Sequence, residues 1–366
     1  MKLFRLLLFA LTITAASASD ALKSAVIRHY AEIVSATYGD SLKSAGELRT
    51  TIHQFLATPS ADTLAAARVA WIGARKPYLQ TEAFRFYEGP VDLIDNRLNS
   101  WPVDEEYIES IITRPDLHPV LSAETITALN EKEGEKSIST GFHAIEFLLW
   151  GQDQDHEGPG NRPYQDYLPG NDRRRDYLRI VTDMLVRDLE SLDADWRDGR
   201  PENFRAWFLA SSSHKSLRKI LHGMGSLSAA ELAGERLTVA YETKEQEDEH
   251  SCFSDTTGTD VICNALGIRN VYTGKYTRTD GTLVDGPGIE ALLREASPEL
   301  ADELSVQLDA SLEAARSIPH PFDQAFPGPD TAPGRIAIHR TIRALQQQAE
   351  SIARTAALIG VKDAVE

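Results

Sequence analysis

The stretch DRRRDYLRIVTDMLVRDLESLDADWR, residues 172–197, decides the fold class of this 366-residue chain. Its apolar residues recur at intervals of three and four, the spacing that places side chains on one face of an α-helix. Asn171 or Asp172 is suited to cap the start of this helix, and Gly199 follows its end. The stretch therefore predicts an amphipathic helix. Its apolar face is formed by Tyr177, Val181, Met184, Leu185, Leu189, Leu192 and Trp196.

Helical spacing of apolar residues recurs along most of the chain, whereas the alternation typical of strands is nearly absent. Ser297-Pro298-Glu299 adds a standard helix entry, with serine as the cap and proline in the first turn. The sequence therefore predicts an all-α fold. The other segments with helical spacing are 22–34, 48–56, 61–78, 204–224 and 336–359.

Three stretches rich in Gly, Pro, Asp and Asn interrupt this pattern: 152–170, 242–288 and 318–334. Such composition predicts loops or linkers. The second stretch is too long for an idle loop in a compact domain, so we expect it to carry function or a small folded unit. A boundary near residue 198 gives two helical-bundle domains, 19–198 and 199–366, the second of which includes the 242–288 loop.

The N-terminal residues, MKLFRLLLFALTITAASA, have the features of a secretory signal peptide. Lys2 and Arg5 precede an apolar stretch from Leu6 to Ile13, and small residues lead to a cleavage site expected after Ala18. The apolar stretch is shorter than the roughly 20 residues that a membrane-spanning helix needs. We therefore expect an exported protein that works in the periplasm or at the cell surface.

Cys252 and Cys263 are the two cysteines of the chain. Neither lies near the expected cleavage site, so we expect no lipid-anchor cysteine. In an oxidising compartment the two could form a disulfide, or both could be buried thiols, and the sequence leaves both alternatives open. A cysteine-based metal site is disfavoured because the chain has no CxxC motif.

The chain is acidic, with 38 Lys and Arg against 55 Asp and Glu and a formal net charge of −17. A surface of this charge repels nucleic acid and anionic lipid and attracts cations. We therefore expect no nucleic-acid partner.

The run GFHAIEFLLWG, residues 141–151, carries the most informative chemistry. On a helix, His143 and Glu146 project in similar directions, so an imidazole nitrogen and a carboxylate oxygen can face one ion. Such donors suit zinc, iron, copper or manganese. The bare HxxE pattern is weak, because His29 and Glu32 satisfy it in an ordinary amphipathic helix. The distinguishing context is the glycine at each end and the apolar helix between them, where a carboxylate needs a cation or a metal as partner.

The run 141–151 resembles the GxHxxE signature of imelysin-like proteins, a family once catalogued as metallopeptidases and associated with bacterial iron uptake. Further similar blocks follow the family's order and, together with the signature, cover most of the chain from about 65 to 290. These blocks are 74–78 with 81–86, 99–104, and 247–255 with 267–272.

The resemblance implies a two-domain, all-α fold with the signature helix near the domain interface, and an exported protein that handles iron or another metal. It transfers the role of metal ligand to His143 and Glu146, and it implies that Gly141 permits close approach at the helix start. Further residues in the similar blocks are second-rank candidates for completing or orienting the site, although a solvated His250 is an equal alternative. These residues are Glu82, Arg85, Asp255 and His250. Arg85 cannot bind a cation but could pair with Glu146 or with an anionic ligand.

Peptidase activity has weaker support in the motifs. The chain has no HExxH, and Phe147 breaks the inverted HxxEH. A catalytic zinc usually takes three protein ligands, so His143 and Glu146 would need a distant third. Our interpretation is therefore an iron-binding protein of bacterial iron uptake, with zinc as the alternative metal. Its partners would be a metal ion or iron complex and other exported iron-uptake or redox proteins. The rival interpretations are a metallopeptidase using the same pair, and a module that binds an organic ligand or a partner protein beside a structural His–Glu pair.

Overall fold

The computed structural model describes residues 2–153 and 158–361, with side chains described from Asp20 onward. Within these ranges the chain is mostly helical, with one short hairpin as its only strands, which confirms the predicted all-α class. The helices are α1 (Lys2–Ala57), α2 (Ala61–Gln80), α3 (Asp95–Leu98), α4 (Glu105–Thr113), α5 (Ala123–Leu129), α6 (Gly141–Trp150), α7 (Asp172–Trp196), α8 (Phe204–Ala210), α9 (Ser213–Ser226), α10 (Val239–Thr243), α11 (Thr257–Thr273), α12 (Ile289–Ala296), α13 (Pro298–Arg316) and α14 (Pro333–Leu358).

The helix predicted from 172–197 is α7, and every residue assigned to its apolar face is buried. Asn171 occupies the cap position, but its side chain does not accept a hydrogen bond from a backbone N–H of the helix. Its side-chain amide instead donates to the Gln165 carbonyl oxygen at 3.2 Å. α7 packs against α1 and α6, and α1 in turn packs along α2. Apolar stripes on long helices thus bury one another, which is where most helical stability in proteins comes from.

The predicted tract after Pro201 is interrupted where Ser212 caps the start of α9 through its hydroxyl. From α9 the helix continues through a π-helical segment, Leu227–Thr238, into α10. A π-helical stretch of this length is rare and often marks a functional position. Arg236 lies on this segment and is 2 % exposed.

The prediction of a loop over 242–288 is wrong for its central part, because Thr257–Thr273 forms α11. Several of its buried positions carry polar or glycine residues, among them Asp260, Asn264 and Gly267, so the apolar pattern of a core helix is hidden. The following residues form an antiparallel hairpin of β1 (Lys275–Thr277) and β2 (Leu283–Asp285), with Tyr276 opposite Val284. This segment is therefore a folded unit, as the length argument anticipated.

The other two interruptions hold short turns of 3₁₀-helix, Tyr164–Tyr167 and Phe322–Gln324, between otherwise irregular segments. Residues 154–157 of the first lie outside the described part. Cys252 and Cys263 are free and buried, so the disulfide alternative does not hold in the structure.

Two predictions about organisation are untested. α1 contacts helices on both sides of residue 198, among them α7 and α12, and the division into 19–198 and 199–366 stays a prediction. The predicted signal peptide, 1–18, lies outside the residues whose side chains are described. Among the described residues, no helix is long and apolar enough to cross a membrane.

Gly267 tests the packing of α11 on α2. A Cβ at Gly267 would lie 2.5 Å from the Gln80 carbonyl oxygen, whereas a Cβ at Gly73 on α2 meets nothing within 4 Å. We expect Gly267→Ala to lower the free energy of unfolding by about 1–3 kcal/mol, because the helices must separate. Gly73→Ala should be neutral or raise it by up to about 1 kcal/mol. Urea denaturation of wild type and both variants measures these free energies of unfolding. Equal values for the two variants would contradict the close packing of α11 on α2 at Gly267.

Candidate functional site

α6 is held in the interior by its first turn. Gly141 has φ +83°, and a Cβ there would lie 2.5 Å from the Leu98 carbonyl oxygen, so only glycine fits. The Trp71 indole of α2 donates to the Phe142 carbonyl oxygen at 2.9 Å. Every residue of α6 is buried, including His143 and Glu146. The predicted close approach at Gly141 is therefore real, and it fixes the helix that carries both predicted ligands.

His143 and Glu146 bond to each other rather than pointing side by side at a common point. His143 Nδ1 lies 2.8 Å from Glu146 Oε2, and His143 Nε2 is buried with no hydrogen-bond partner among the described residues. A carboxylate on one ring nitrogen commonly orients a histidine so that the other nitrogen binds a metal. The arrangement leaves His143 Nε2 as a nitrogen that could bind a ligand, while Glu146 holds the orientation of the ring.

Glu146 is also fixed through its second oxygen, because Oε1 accepts from the Ser254 backbone N–H at 3.0 Å and from the Ser254 hydroxyl at 2.6 Å. Burial raises the pKa of Glu146 to about 8, although these Ser254 bonds oppose the increase. At neutral pH the pair thus holds a proton between Glu146 and His143. A neutral His143 that accepts this proton at Nδ1 carries its own proton on Nε2. A cation bound at Nε2 would displace that proton to solvent and would favour the form in which Nδ1 carries the shared proton and Glu146 is ionised.

His250 lies beside His143, with 4.7 Å between the ring centroids, so the alternative of a solvated His250 is wrong. His250 Nδ1 is 2.7 Å from Asp260 Oδ2 on α11. Burial lowers the pKa of both histidines well below the ordinary value, and nearby arginines lower it further. Both rings are therefore neutral at physiological pH, which is the state that binds metals.

A buried chain of polar groups continues away from the two histidines. Asp260 Oδ2 accepts from Arg75 Nη2 at 2.7 Å, and Arg75 also donates to the Asn99 side-chain oxygen. Asn99 in turn donates to Glu82 Oε1 at 3.3 Å. Arg75 and Asp260 are each 1 % exposed, so their pairing replaces water almost completely. Glu82 is thereby connected to the site but does not face His143.

Glu82 and Arg85 form part of an ion-pair cluster instead of the ligand set. Glu82 Oε2 accepts from Arg236 and, at 3.2 Å, from Arg85. Burial opposes ionisation of Glu82, but the two arginines outweigh it and hold its pKa at about 2. Arg85 also pairs with Asp95 at 2.5 Å and with Glu231 at 3.7 Å. The prediction that Arg85 could pair with Glu146 is therefore not what the structure shows, because its guanidinium is already engaged by these carboxylates.

Asp255 lies one residue after Ser254, but its carboxylate belongs to a second group. One oxygen each from Asp153, Asp255 and Asp323 lies within 4.8 Å of the others, the single such group among the described residues. His143 is therefore not part of any described set of three protein ligand atoms.

The motif analysis missed several residues of this centre, which are Arg75, Asn99, Asp260, Ser254, Arg236 and Glu249. Arg75, Asn99, Ser254 and Glu249 lie within the blocks that carry the family resemblance. For Asp260 the available signal was a carboxylate between Thr259 and Val261 in a stretch that we predicted to be a loop. Residues 244–248 are exposed or half-buried, whereas Glu249 at the end of this acidic run is 0 % exposed.

The fold and site together define an all-helical protein with a neutral histidine pair and a buried carboxylate at its centre. The chain belongs to the imelysin family, since the Imelysin (Peptidase_M75) family model matches residues 34–352. This confirms the resemblance carried by the motifs.

Individual relatives agree with this assignment. Iron-regulated protein A of Synechococcus elongatus is 25% identical over 333 residues, which cover 88% of this chain and 82% of that protein. A crystal structure described as an iron-regulated protein A precursor from Parabacteroides distasonis superposes with a TM-score of 0.70 at 20% identity, covering 91% of this chain and 95% of the other. An imelysin-like protein from Psychrobacter arcticum gives a TM-score of 0.69 at 14% identity, covering 93% and 96%. The structural matches share the fold.

Glu82→Gln tests the ion-pair cluster. This substitution removes the fully buried carboxylate of the cluster and leaves Arg236 and Arg85 with only Glu231 and Asp95 as carboxylate partners. We therefore expect a loss of about 3 kcal/mol in the free energy of unfolding at pH 7. The pKa of Glu82 is about 2 in the folded protein and near 4.5 in the unfolded chain. Ionised Glu82 therefore contributes fully to the free energy of unfolding above pH 4.5, and this contribution disappears as the pH falls towards 2. Urea denaturation at pH 7 and pH 3 should show a smaller difference between wild type and variant at pH 3. Exposed Glu47→Gln is the control, and a pH-independent difference would contradict this assignment.

Proposed function

We propose that this protein captures iron outside the cytoplasm and contributes to iron uptake, with His143 and Glu146 at the centre of the binding site. The observation that carries the proposal is the buried Nε2 of His143, which has no hydrogen-bond partner among the described residues, while Glu146 and Ser254 fix the rest of the pair. A buried polar atom without a partner costs free energy, so such an arrangement favours a ligand at that atom.

The surrounding groups have the chemistry that transition-metal cations bind. An ion held only by His143 Nε2 would need them to move closer, since no three of their ligand atoms lie within 4.8 Å of one another in the described structure. His250 lies in ring contact with His143, and Asp260 Oδ1 is a buried carboxylate oxygen with no hydrogen-bond partner among the described residues. Imidazole nitrogen with carboxylate oxygen suits iron, zinc, copper or manganese. Iron is favoured among these because the Synechococcus relative is named as iron-regulated. Zinc is the alternative, and an iron complex could supply the remaining donor atoms itself.

The proposed mechanism is capture and release rather than turnover. The site lies between α6, on the N-terminal side of residue 198, and the 250–260 segment on the C-terminal side. Small movements of these parts would expose His143, which is 1 % exposed in the structure. The signal-peptide features of 1–18 support export, and other exported iron-uptake or redox proteins are the proposed partners for transfer.

Burial distinguishes capture from proteolysis. A catalytic metal needs an open coordination position that a peptide can reach. Here His143 is enclosed, and the described residues bring no third protein ligand within reach of the His143–Glu146 pair. Chelator-sensitive cleavage of an unfolded protein, abolished by Glu146→Gln, would nevertheless identify the protein as a metallopeptidase.

Metal content tests the proposal directly. We expect wild type reloaded with ferrous iron and desalted to retain about one equivalent, measured by mass spectrometry. His143→Ala should retain almost none, and Glu146→Gln should bind at least about tenfold more weakly, as for other groups that orient a ligand. Reloading with zinc, copper and manganese in parallel ranks the metals.

His29 and Glu32 provide the matched control, because they have the same spacing on α1 and a Nδ1–Oε2 distance of 3.0 Å. There His29 Nε2 is already bonded to the Gly274 carbonyl oxygen at 2.8 Å, so Glu32→Gln should leave metal content unchanged. Circular dichroism checks that each variant is folded. Equal metal retention in wild type and His143→Ala would overturn the proposal. Absence of metal from both, with a loss of stability in the variants, would favour a structural His–Glu pair beside an organic-ligand or protein site.

A further inference from the structure

A group of carboxylates gathers next to the His143–Glu146 pair without including it. Asp153 follows the end of α6, Asp255 precedes α11, and Asp323 lies in the turn before α14. Their nearest oxygens are within 4.8 Å of one another. Asp323 is 0 % exposed and Asp153 is 8 % exposed, with Gln246 donating to Asp153. Segments far apart in sequence therefore bring negative charge into one enclosed place.

Glu249 provides an independent observation at the same place. Its side chain is 0 % exposed, and neither of its carboxylate oxygens has a hydrogen-bond partner among the described residues. Burial raises the pKa of Glu249 well above its ordinary value, and the charges of Asp323 and Asp255 raise it further. The Thr257 hydroxyl offsets part of this increase without reaching hydrogen-bond geometry. Glu249 therefore lies near Asp323 and Asp255, with both oxygens unpartnered among the described residues.

Carboxylates this close together repel one another when ionised, and a cation bound among them would relieve that repulsion. The same cation would satisfy the buried oxygens of Glu249. Calcium binds oxygen at about 2.3–2.6 Å, so two of its ligand oxygens can be at most roughly 5 Å apart. The three aspartate oxygens, which lie within 4.8 Å of one another, meet this limit. Calcium also tolerates irregular geometry from several loops, whereas magnesium requires a nearly ideal octahedron and keeps several waters.

We propose that Asp153, Asp255 and Asp323, together with Glu249, form a second cation site that takes a hard divalent ion, calcium first. The site goes beyond the proposed iron capture, since its donors are all oxygen while those of the His143 centre include imidazole nitrogen. Bound calcium would join the end of α6 to the turns before α11 and α14. Asp255 directly follows Ser254, so calcium bound to Asp255 would also fix the position of the Ser254 backbone N–H, which donates to Glu146.

Calorimetric titration with calcium chloride tests the site on full-length protein stripped with a chelator and dialysed. We expect about one calcium per wild-type chain and a melting temperature that rises with calcium. Asp323→Asn should abolish both effects. Asp153 is less deeply buried than Asp323, so Asp153→Asn should leave the fold intact and weaken calcium binding at least about tenfold. This second variant tests the site even if Asp323→Asn does not fold.

Two controls separate this site from the iron site. Asp62→Asn removes an exposed carboxylate in the first turn of α2, and His143→Ala removes the primary donor of the other centre. Both should bind calcium like wild type, whatever the outcome for iron. Absence of calcium binding to wild type, unchanged binding to Asp153→Asn, or loss of binding in His143→Ala would overturn the proposal. Binding of ferric iron but not calcium or magnesium at the cluster would overturn the assignment to a hard divalent ion.

Discussion

The buried ion pair between Arg75 of α2 and Asp260 of α11 is the interaction on which the centre of the molecule depends. Both side chains are 1 % exposed, and their nitrogen and oxygen are 2.7 Å apart. Pairing two charges inside a protein requires that further hydrogen bonds satisfy them. Asp260 receives these from His250 and the Ser251 hydroxyl, and Arg75 donates to Asn99. The pair therefore sets the position of His250 at the same time as it joins two helices.

Arg75 of the same pair also helps to keep the neighbouring His143 neutral. Burial is the main reason that the pKa of His143 is low, and the positive charge of Arg75 is the next. A neutral imidazole in the interior keeps its lone pair available. Glu146 then selects which nitrogen can face a ligand, since its carboxyl group occupies Nδ1 and Nε2 has no hydrogen-bond partner among the described residues. Electrostatics and geometry thus combine to prepare one nitrogen for a cation.

Ser254 and Asp255 connect two chemically different places. Ser254 binds Glu146 through its backbone and hydroxyl, while Asp255 turns its carboxylate towards Asp153 and Asp323. The backbone of Asp255 has φ +56°, a left-handed conformation that residues other than glycine adopt infrequently. This local geometry lets consecutive residues face opposite centres. A change in charge at one centre would therefore be felt at the other through a single peptide unit.

Much of this could be read from local sequence patterns. The helical spacing around Tyr177 and Trp196 correctly predicted α7, and Ser297-Pro298 correctly marked the start of α13. The stretch 257–273 was misread because Asp260 and Asn264 occupy buried positions of α11 that a periodicity argument expects to be apolar. Those residues are polar because they bind Arg75 and Arg236. The pattern therefore failed where a helix contributes to the buried polar centre.

The sequence by itself determined the helical class, the acidic charge, and the pair His143 and Glu146, since each depends on composition or on spacing within one helix. Only the tertiary structure decided that Glu146 orients His143, that His250 is buried beside it, and that Glu82 and Arg85 serve an ion-pair cluster. It alone brought Asp153, Asp255 and Asp323 together. The physical reason is that contacts between residues far apart in the chain depend on how the helices pack, and no local periodicity records that packing.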